Sequence, residues 1–489
     1  MTRPVLLTEN SRTELINANE DQTLSKLAQF VAAFVSTISA ICLGMVFSWT
    51  SSALVTLTAE IGITQIQGAW IGSLVTLGAF VGAIPAGPLA NKFGRKSFLQ
   101  VVIIPLFLSW ILIAYLYHHV WVVYLARFLA GLSGGAVSVA APMYVAELAH
   151  VSIRGTLGTF FQVQITVGIL IGYLMGGMIT DIRTLSLSSS VLPVVFMLCF
   201  VFIPESPVFL CSKDKMEEAR QSLIWFRGEI YEIEDELAAI VDDLKESKKN
   251  QTKLSDLVRD KATVKALIIA LGLMIFQQLS GVNAVLFYAN NIFENSGSSL
   301  SPSGSSILIG IVQVLATLGS TILIDRAGRK LLLVVSEFVM TLSIASLGSY
   351  FYLSQFRNLS DYSFIPLVSV AVFIISFSIG IGPIPWMIMG ELFTPDIKGP
   401  ASSISASLNW FLAFTVTNQF ANMTQWFGTG GTFLMFALVC AIGTAFISIM
   451  LPETKGKSLE EVRNELLGVR PPVALFQADF KCERMTSFV

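Results

Sequence analysis

Charge is scarce in this chain. Of 489 residues only 13% are charged, whereas ordinary soluble domains carry about 25%. The formal net charge is −2, so the chain lacks the basic surface of a nucleic-acid-binding protein. A soluble protein with 54% hydrophobic residues and a mean hydropathy of +0.70 would expose large apolar patches. The composition therefore predicts a membrane protein.

Residues that bind metals or form disulfides are also few. The five cysteines have no CxxC spacing, which predicts neither a disulfide framework nor a metal site, and the three histidines are too few for a metal centre. No nucleophile–base pair and no phosphate-binding loop appears, so we expect no enzyme, no metal and no cofactor. These residues are Cys42, Cys199, Cys211, Cys440, Cys482, His118, His119 and His150.

Long apolar runs dominate what remains. About 20 apolar residues suffice to span a hydrocarbon core of about 30 Å, and the chain has six such runs on each side of a polar interval. The first 26 residues lack the order of a cleaved signal peptide, so we expect the first run to act as the insertion signal. The runs fall near 27–50, 66–90, 98–117, 120–143, 157–180, 187–204, 264–291, 303–325, 330–353, 364–390, 400–424 and 431–451.

The runs predict an all-α membrane protein with twelve transmembrane helices in two six-helix bundles. The polar interval mixes both charge signs with Leu and Ile at helical spacing, which predicts short amphipathic helices; a solvated linker that only joins the halves is the alternative. The predicted divisions are a tail at 1–26, bundles at 27–204 and 263–451, a linker at 205–262 and a tail at 452–489.

Lys and Arg cluster on one side of the predicted topology. They occur after the second and eighth runs and in the linker, and are absent after the first, third, seventh and eleventh runs. The positive-inside rule then makes both termini and the linker cytoplasmic. We expect a multi-pass protein of the cell membrane, with an internal membrane as the alternative. Asn358, in Asn358-Leu359-Ser360, falls in an outside loop and is a candidate for glycosylation.

Three charged motifs occur twice and in the same order. In a membrane chain a duplicated half indicates a transporter whose two bundles rock against each other. The copies are Asn91-Lys92-Phe93-Gly94-Arg95-Lys96 with Asp325-Arg326-Ala327-Gly328-Arg329-Lys330, Glu147 and Arg154 with Glu391 and Lys398, and Pro204-Glu205-Ser206-Pro207 with Pro452-Glu453-Thr454-Lys455.

Opposite charges in these motifs predict a cytoplasmic gate. They would pair across the interface between halves when the inside is closed and separate when it opens. One exposed pair contributes only about 0–1 kcal/mol, but about four to six pairs would bias a two-state equilibrium by a few kcal/mol. We interpret Lys92 and Lys96, taken alone, as positive-inside anchors. The predicted gate residues are Arg95, Glu147, Arg154, Glu205, Asp325, Arg329, Glu391 and Lys398.

Further motifs follow one another from the fourth run to the end of the twelfth. They are Arg127, Pro142-Met143-Tyr144-Val145-Ala146-Glu147, Arg154-Gly155-Thr156-Leu157-Gly158-Thr159, Pro204-Glu205-Ser206-Pro207, Gln277-Gln278-Leu279-Ser280-Gly281-Val282-Asn283, Gly382-Pro383-Ile384-Pro385-Trp386, Asn409-Trp410 and Pro452-Glu453-Thr454-Lys455-Gly456. Over roughly residues 30 to 465 the chain resembles the sugar porters of the major facilitator superfamily, which include facilitative glucose transporters and insect facilitated trehalose transporters. The resemblance implies the major facilitator fold and sugar transport.

Polar amides inside the apolar runs are candidate substrate ligands. Buried polar groups in a membrane face the bundle interior. Each amide has an acceptor and a donor that match sugar hydroxyls, and the lack of charge disfavours phosphates or amino acids as substrates. Hydrogen bonding between helices is the alternative for one or two of them. The resemblance implies sugar contacts for Gln162, Gln277, Gln278, Asn283, Gln313, Trp386 and Asn409.

A regular helix would not point the seventh-run amides into one cavity. Gln277 and Gln278 lie about 100° apart, and Asn283 lies about 140° further on. We therefore predict that the helix breaks at Gly281. Gly382, Pro383 and Pro385 predict a second break in the tenth run. We interpret both as hinges, and for the break in the tenth run a static kink is the alternative.

The first run contains no carboxylate between Cys42 and Ser52. Proton-coupled sugar porters that resemble this chain have an Asp there, which titrates against the Arg at the position of Arg127. Ser378 replaces a Glu that glucose transporters of the family often have. The sequence favours downhill uniport of trehalose or a hexose such as glucose. A proton-coupled symporter and a non-transporting sugar receptor are the alternatives. The expected partners are a sugar and the lipid bilayer, with the monomer as the functional form.

Overall fold

The computed structural model describes residues 25–150, 152–249, 260–294, 301–393, 395–457 and 459–468. Within these ranges the regular structure is helical, without strands, and eleven helical segments are long and apolar enough to cross a membrane. The predicted all-α membrane fold is confirmed. The side chains of Asp325 and Lys398, two predicted gate residues, lie outside the described part.

The first half contains six long helices. Side chains cap several of them: Thr64 and Gln67 form a reciprocal capping box at the start of α2, and Asp181 accepts the N–H of Thr184 at the start of α6. The helices are α1 Leu27–Ile61, α2 Gln65–Phe93, α3 Arg95–Leu116, α4 Val120–Leu148, α5 Arg154–Met178 and α6 Ile182–Phe200.

The predicted linker helices are present. Arg227 ends one of them with its side chain 1% exposed, donating to Glu236 at 2.9 Å and to the carbonyl of Leu148 at 2.7 Å. A buried guanidinium with these partners anchors the linker to α4. The linker helices are α7 Pro207–Ser212, α8 Met216–Arg227 and α9 Ile233–Lys249.

The second half is more interrupted than the first. Its elements are α10 Lys261–Leu279, α11 Val282–Phe287, α12 Ala289–Glu294, α13 Pro302–Ala327, α14 Arg329–Leu353, α15 Ile365–Ile379, α16 Ile384–Leu392 and α17 Pro395–Met450, followed by the short helix α18 Leu459–Leu467. A 56-residue helix such as α17 is about 84 Å long, more than twice the hydrocarbon core. Gly428 breaks it with a φ of 71°, so α17 supplies the eleventh and twelfth crossings.

The two ends of the bundle differ. We call the end of the bundle with the turns at Gly94 and Gly328 and the linker helices the charged face. The other end, with the α1–α2 turn, is the opposite face. The described hydrogen bonds between the halves lie toward the opposite face. They join Asn418 to Ser73 at 3.0 Å, Asn290 to Ser51 at 3.0 Å, Tyr173 to the Leu286 carbonyl at 2.8 Å and Thr76 to Thr417 at 3.4 Å. The described hydrogen bonds therefore connect the two halves near the opposite face and not near the charged face.

Candidate functional site

Four of the predicted amides form one hydrogen-bonded chain. Asn283 donates to Gln278 at 2.6 Å, and Gln278 donates to Asn409 at 2.9 Å. Asn409 donates to Gln277 at 2.6 Å, and Gln277 donates to the carbonyls of Ile381 and Gly382 at 2.6 and 2.9 Å. The amide chain thus connects α10, α11, α17 and the backbone before α16. It presents donors and acceptors without any charge.

Two helix breaks make this amide chain possible. Gly281 has a φ of 84°, a left-handed conformation suited to glycine, and it separates α10 from α11 as predicted. Residues 380–383 separate α15 from α16, which frees the carbonyls that Gln277 binds. Asn283 therefore returns to the face of Gln278, although a regular helix would have turned it away.

The other three predicted ligands lie outside the amide chain. Gln162 is half-buried on α5, Trp386 is half-buried on α16, and Gln313 is 2% exposed on α13. The Gln313 carbonyl oxygen has no hydrogen-bond partner among the described residues. Helices α5 and α13 pack against each other across the interface between halves, so Gln162 and Gln313 stand on either side of that interface.

Arg127 is fully buried where α1, α2 and α4 meet. Its guanidinium donates to the carbonyls of Ile71 and Val46 at 3.1 and 3.0 Å and to the hydroxyl of Thr50 at 2.5 Å. The ring of Trp49 lies 4.9 Å from the guanidinium carbon. All of these partners are neutral, which agrees with the carboxylate-free first run.

The first charged motif forms one compact network. Arg95 donates to Glu147 at 2.9 and 3.0 Å, and Ser206 donates to the other Glu147 oxygen. Glu205 accepts the backbone N–H groups of Arg95 and Lys96 at 3.0 Å and so caps the start of α3. Three motifs that are far apart in sequence therefore meet at one corner of the charged face.

The second charged motif repeats this geometry. Arg329 donates to Glu391 at 3.1 Å, and Thr454 donates to the other Glu391 oxygen. Glu453 accepts the backbone N–H of Arg329 at 3.0 Å and of Lys330 at 3.2 Å. The sequence repeat is therefore also a repeat of hydrogen bonds.

Each of these two ion pairs lies within its own half: Arg95 with Glu147 in the first, and Arg329 with Glu391 in the second. Among the described residues no ion pair crosses the interface between the halves. Pairing across the halves stays a prediction for the state in which the charged face is closed.

Arg154 is exposed, with its guanidinium 3.5 Å from the carbonyl of Ala149. Sequence reasoning missed Ser206 and Thr454 as partners, although each directly follows a motif glutamate.

Glu453 gives this network a pH dependence. Burial alone would raise its pKa, but hydrogen bonds from four backbone N–H groups outweigh burial and hold the pKa below the usual 4.5. A group whose pKa is lowered on folding stabilises the fold above its unfolded pKa, and this contribution is lost as the pH falls through the folded pKa.

We expect Glu453→Gln to lower the free energy of unfolding at pH 7 by about 1–3 kcal/mol, because a neutral amide is a weaker acceptor for clustered N–H donors. The Tm difference from wild type in detergent should begin to shrink below the usual pKa of 4.5 and disappear as the pH falls through the lowered pKa of the folded carboxylate. A Tm difference that is the same at pH 7 and in acid would contradict this assignment.

Comparison with known proteins places this architecture in a family. The model of the sugar (and other) transporter family matches residues 10–466. The facilitated trehalose transporter Tret1 of Bombyx mori is 37% identical over 94% of this chain and 93% of its own length. The Tret1 of Polypedilum vanderplanki is 36% identical over 90% of this chain and 88% of its own length. The Tret1 of Aedes aegypti is also 36% identical, and the match covers 55% of its length.

Solved structures share the fold at low identity. The inward open conformation of the xylose transporter XylE from E. coli superimposes with a TM-score of 0.75 at 23% identity, covering 89% of this chain and 99% of that one. The proton:xylose symporter XylE bound to 6-bromo-6-deoxy-D-glucose gives 0.74 at 24% identity over 90% and 99%. Since the family model matches from residue 10 to residue 466, the chain belongs to the sugar transporter family of the major facilitator superfamily, and it is a transporter rather than an enzyme.

Proposed function

We propose that this protein is a facilitative uniporter that moves a neutral sugar, trehalose or a hexose such as glucose, down its gradient by alternating access. The observation that carries the proposal is the uncharged amide chain from Asn283 to Gln277, which lies at two helix breaks inside the second half. Relatives that are 36–37% identical are named facilitated trehalose transporters, which supports trehalose as the first sugar to test.

The partners of Arg127 support uniport over proton-coupled symport. A proton carrier needs a group that gains and loses a proton as the protein changes state. The described groups that hold Arg127 are two carbonyls, one hydroxyl and one indole ring, and none of them titrates in the physiological range. The sugar gradient alone is then the driving force.

We place the charged face in the cytoplasm of a cell-membrane protein, with both termini on that side. The cluster of Arg95, Lys96, Arg329 and Lys330 at one face supports this orientation through the positive-inside rule. Asn358 is exposed in the loop after α14, at the opposite face, and is the proposed glycosylation site. The substrate path lies between the two halves of one chain, so a monomer suffices for transport.

Counterflow in proteoliposomes tests the proposed function. Vesicles loaded with unlabelled trehalose, glucose or fructose should transiently accumulate the labelled sugar above its outside concentration, whereas protein-free vesicles should not. A trapped pH dye should show no proton movement with the sugar. Absence of counterflow with every sugar would overturn the transporter proposal, and alkalinisation of the medium with sugar entry would establish symport instead.

A further inference from the structure

Glu337 is a carboxylic acid inside a membrane-spanning helix, and none of the motifs above includes it. It lies on α14 eight residues after Arg329, which is about 12 Å along the helix from the charged face. Its exposure is 0%, and neither carboxyl oxygen has an N–H or O–H donor among the described residues. An ionisable side chain in this position requires an explanation, since such residues in membrane spans usually serve a function.

The surroundings of Glu337 offer no counter-charge. The Cys440 thiol on α17 faces the carboxyl and is only a weak donor. Gly443, also on α17, lies beside the carboxyl, because a Cβ added there would be 2.7 Å from one of its oxygens. Helix α15 contains no charged residue. The charged residues of α10, α13, α16 and α17 fall within the end turns of those helices at the charged face. Cys440 is therefore the one titratable group that faces Glu337 in the described structure.

An unpaired buried carboxylate is unstable in such a site. Removing an ionised carboxylate from water without a partner costs several kcal/mol, so the group keeps its proton instead. Loss of the proton would force either water or a cation between α14, α17 and α10. How tightly the helices of the second half pack therefore depends on whether Glu337 carries its proton.

One hydrogen-bonded path leads from this position to the sugar site. Ser336, the preceding residue, donates to the Ser376 carbonyl at 2.7 Å, in the last turn of α15, and accepts the N–H of Ile381 at 3.2 Å, within the break that follows α15. The carbonyl of Ile381 accepts from Gln277, the end of the amide chain. A shift of α14 at Glu337 would therefore move the backbone that orients a candidate sugar ligand.

We infer that Glu337 is a proton-binding site that controls the rate of sugar exchange, and that loss of this proton in alkaline solution slows transport although no proton travels with the sugar. The inference rests on the proposed transport function, but it assigns a separate role to a residue outside the sugar site. The proton remains bound through the transport cycle at neutral pH, so the sugar gradient stays the driving force.

The test is exchange of labelled trehalose, or of the sugar that gives counterflow, at equal pH inside and outside the vesicles from pH 6.5 to 9.5. The wild-type rate should fall with rising pH by up to about tenfold per unit, the limit for one proton. Glu337→Gln keeps the shape of the neutral acid, so its rate should stay flat. Cys440→Ala should keep the wild-type decline, because the thiol is not the titrating group.

Labelling with a hydrophobic carbodiimide, which reacts with protonated buried carboxyls, gives a measurement that needs no folded variant. Mass spectrometry should find the adduct on Glu337 in the wild type, and labelling should decline over the same pH range as transport. A decline in Glu337→Gln that matches the wild type, or labelling that is independent of pH, would overturn the inference. Failure of all exchange at pH 7 would instead count against the proposed function.

Discussion

Replacing Gln278 with alanine should lower the kcat/KM of sugar exchange by about 10- to 2,000-fold. Gln278 is the centre of the amide chain, because it accepts from Asn283 and donates to Asn409. Its removal deletes the sugar contact that we propose for it and releases the two neighbours that it orients. Three neutral hydrogen bonds at about 0.5–1.5 kcal/mol each give about 1.5–4.5 kcal/mol, and each 1.36 kcal/mol is a factor of about ten in rate.

Gln164→Ala is the matched control for this prediction. Gln164 is also a buried amide, 5% exposed, but it lies on α5 and donates to the Phe34 carbonyl at 3.2 Å inside the first half. Its loss should cost about 1 kcal/mol of stability and leave the KM for sugar unchanged. Rates should be measured in proteoliposomes with equal amounts of folded protein. Equal losses in the two variants would show that the amide chain has no special part in sugar binding.

Gly281→Ala should lower the Tm by about 4–10 °C. The backbone of Gly281 is left-handed, with a φ of 84°, which costs a residue with a Cβ about 1–2 kcal/mol. The added Cβ would also lie 2.5 Å from Cδ2 of Phe436, and overpacking of this kind costs about 1–3 kcal/mol. The total is about 2–5 kcal/mol, and in a chain of this size each kcal/mol shifts the Tm by about 2 °C.

Gly319→Ala provides the comparison, since Gly319 lies within α13 and an added Cβ meets nothing within 4 Å. Alanine is a better helix former than glycine by about 0.5–1 kcal/mol, so the Tm of this variant should stay the same or rise. Both melting curves should be recorded in the same detergent. An unchanged Tm for Gly281→Ala would mean that the break does not require glycine.

The same variant separates a hinge from a static kink at Gly281. If residues 282–294 move about this point during transport, Gly281→Ala should slow exchange at temperatures where the protein is still folded. A static kink predicts a lower Tm with a normal exchange rate in the remaining folded protein. The pair of measurements therefore decides between a hinge and a static kink at Gly281.

Local features made much of the fold predictable. Hydrophobic length identifies membrane spans because every backbone polar group must be satisfied within the hydrocarbon core. Gly281 and the Gly382-Pro383 pair interrupt helices by their own backbone properties, so both breaks are predictable from the sequence, whereas Pro385, also predicted to break the helix, lies in the first turn of α16. The eleventh and twelfth spans are one helical segment divided at Gly428, and their combined length requires two crossings.

The partners of the charged motifs could not be predicted in the same way. Their duplication indicated a gate, and we expected pairing across the two halves when the cytoplasmic side is closed. In this structure Arg95 pairs with Glu147 and Arg329 pairs with Glu391, each within its own half. Which carboxylate a side chain reaches depends on how helices distant in sequence pack together, and a list of residues does not contain that information.

Twelve spans in two related halves, two broken helices and the absence of a carboxylate between Cys42 and Ser52 are all predictable from local sequence features, and the motifs add the resemblance to sugar porters. Hydropathy, charge position and the conformational limits of Gly and Pro act over a few residues, so their effects can be predicted from the sequence. The bridge that Gln278 forms between Asn283 and Asn409, and the lack of a counter-charge for Glu337 among the described residues, are visible only in the packed helices. Those facts depend on α10, α14 and α17 packing together, because the strength of a polar contact in a membrane is set by what surrounds it.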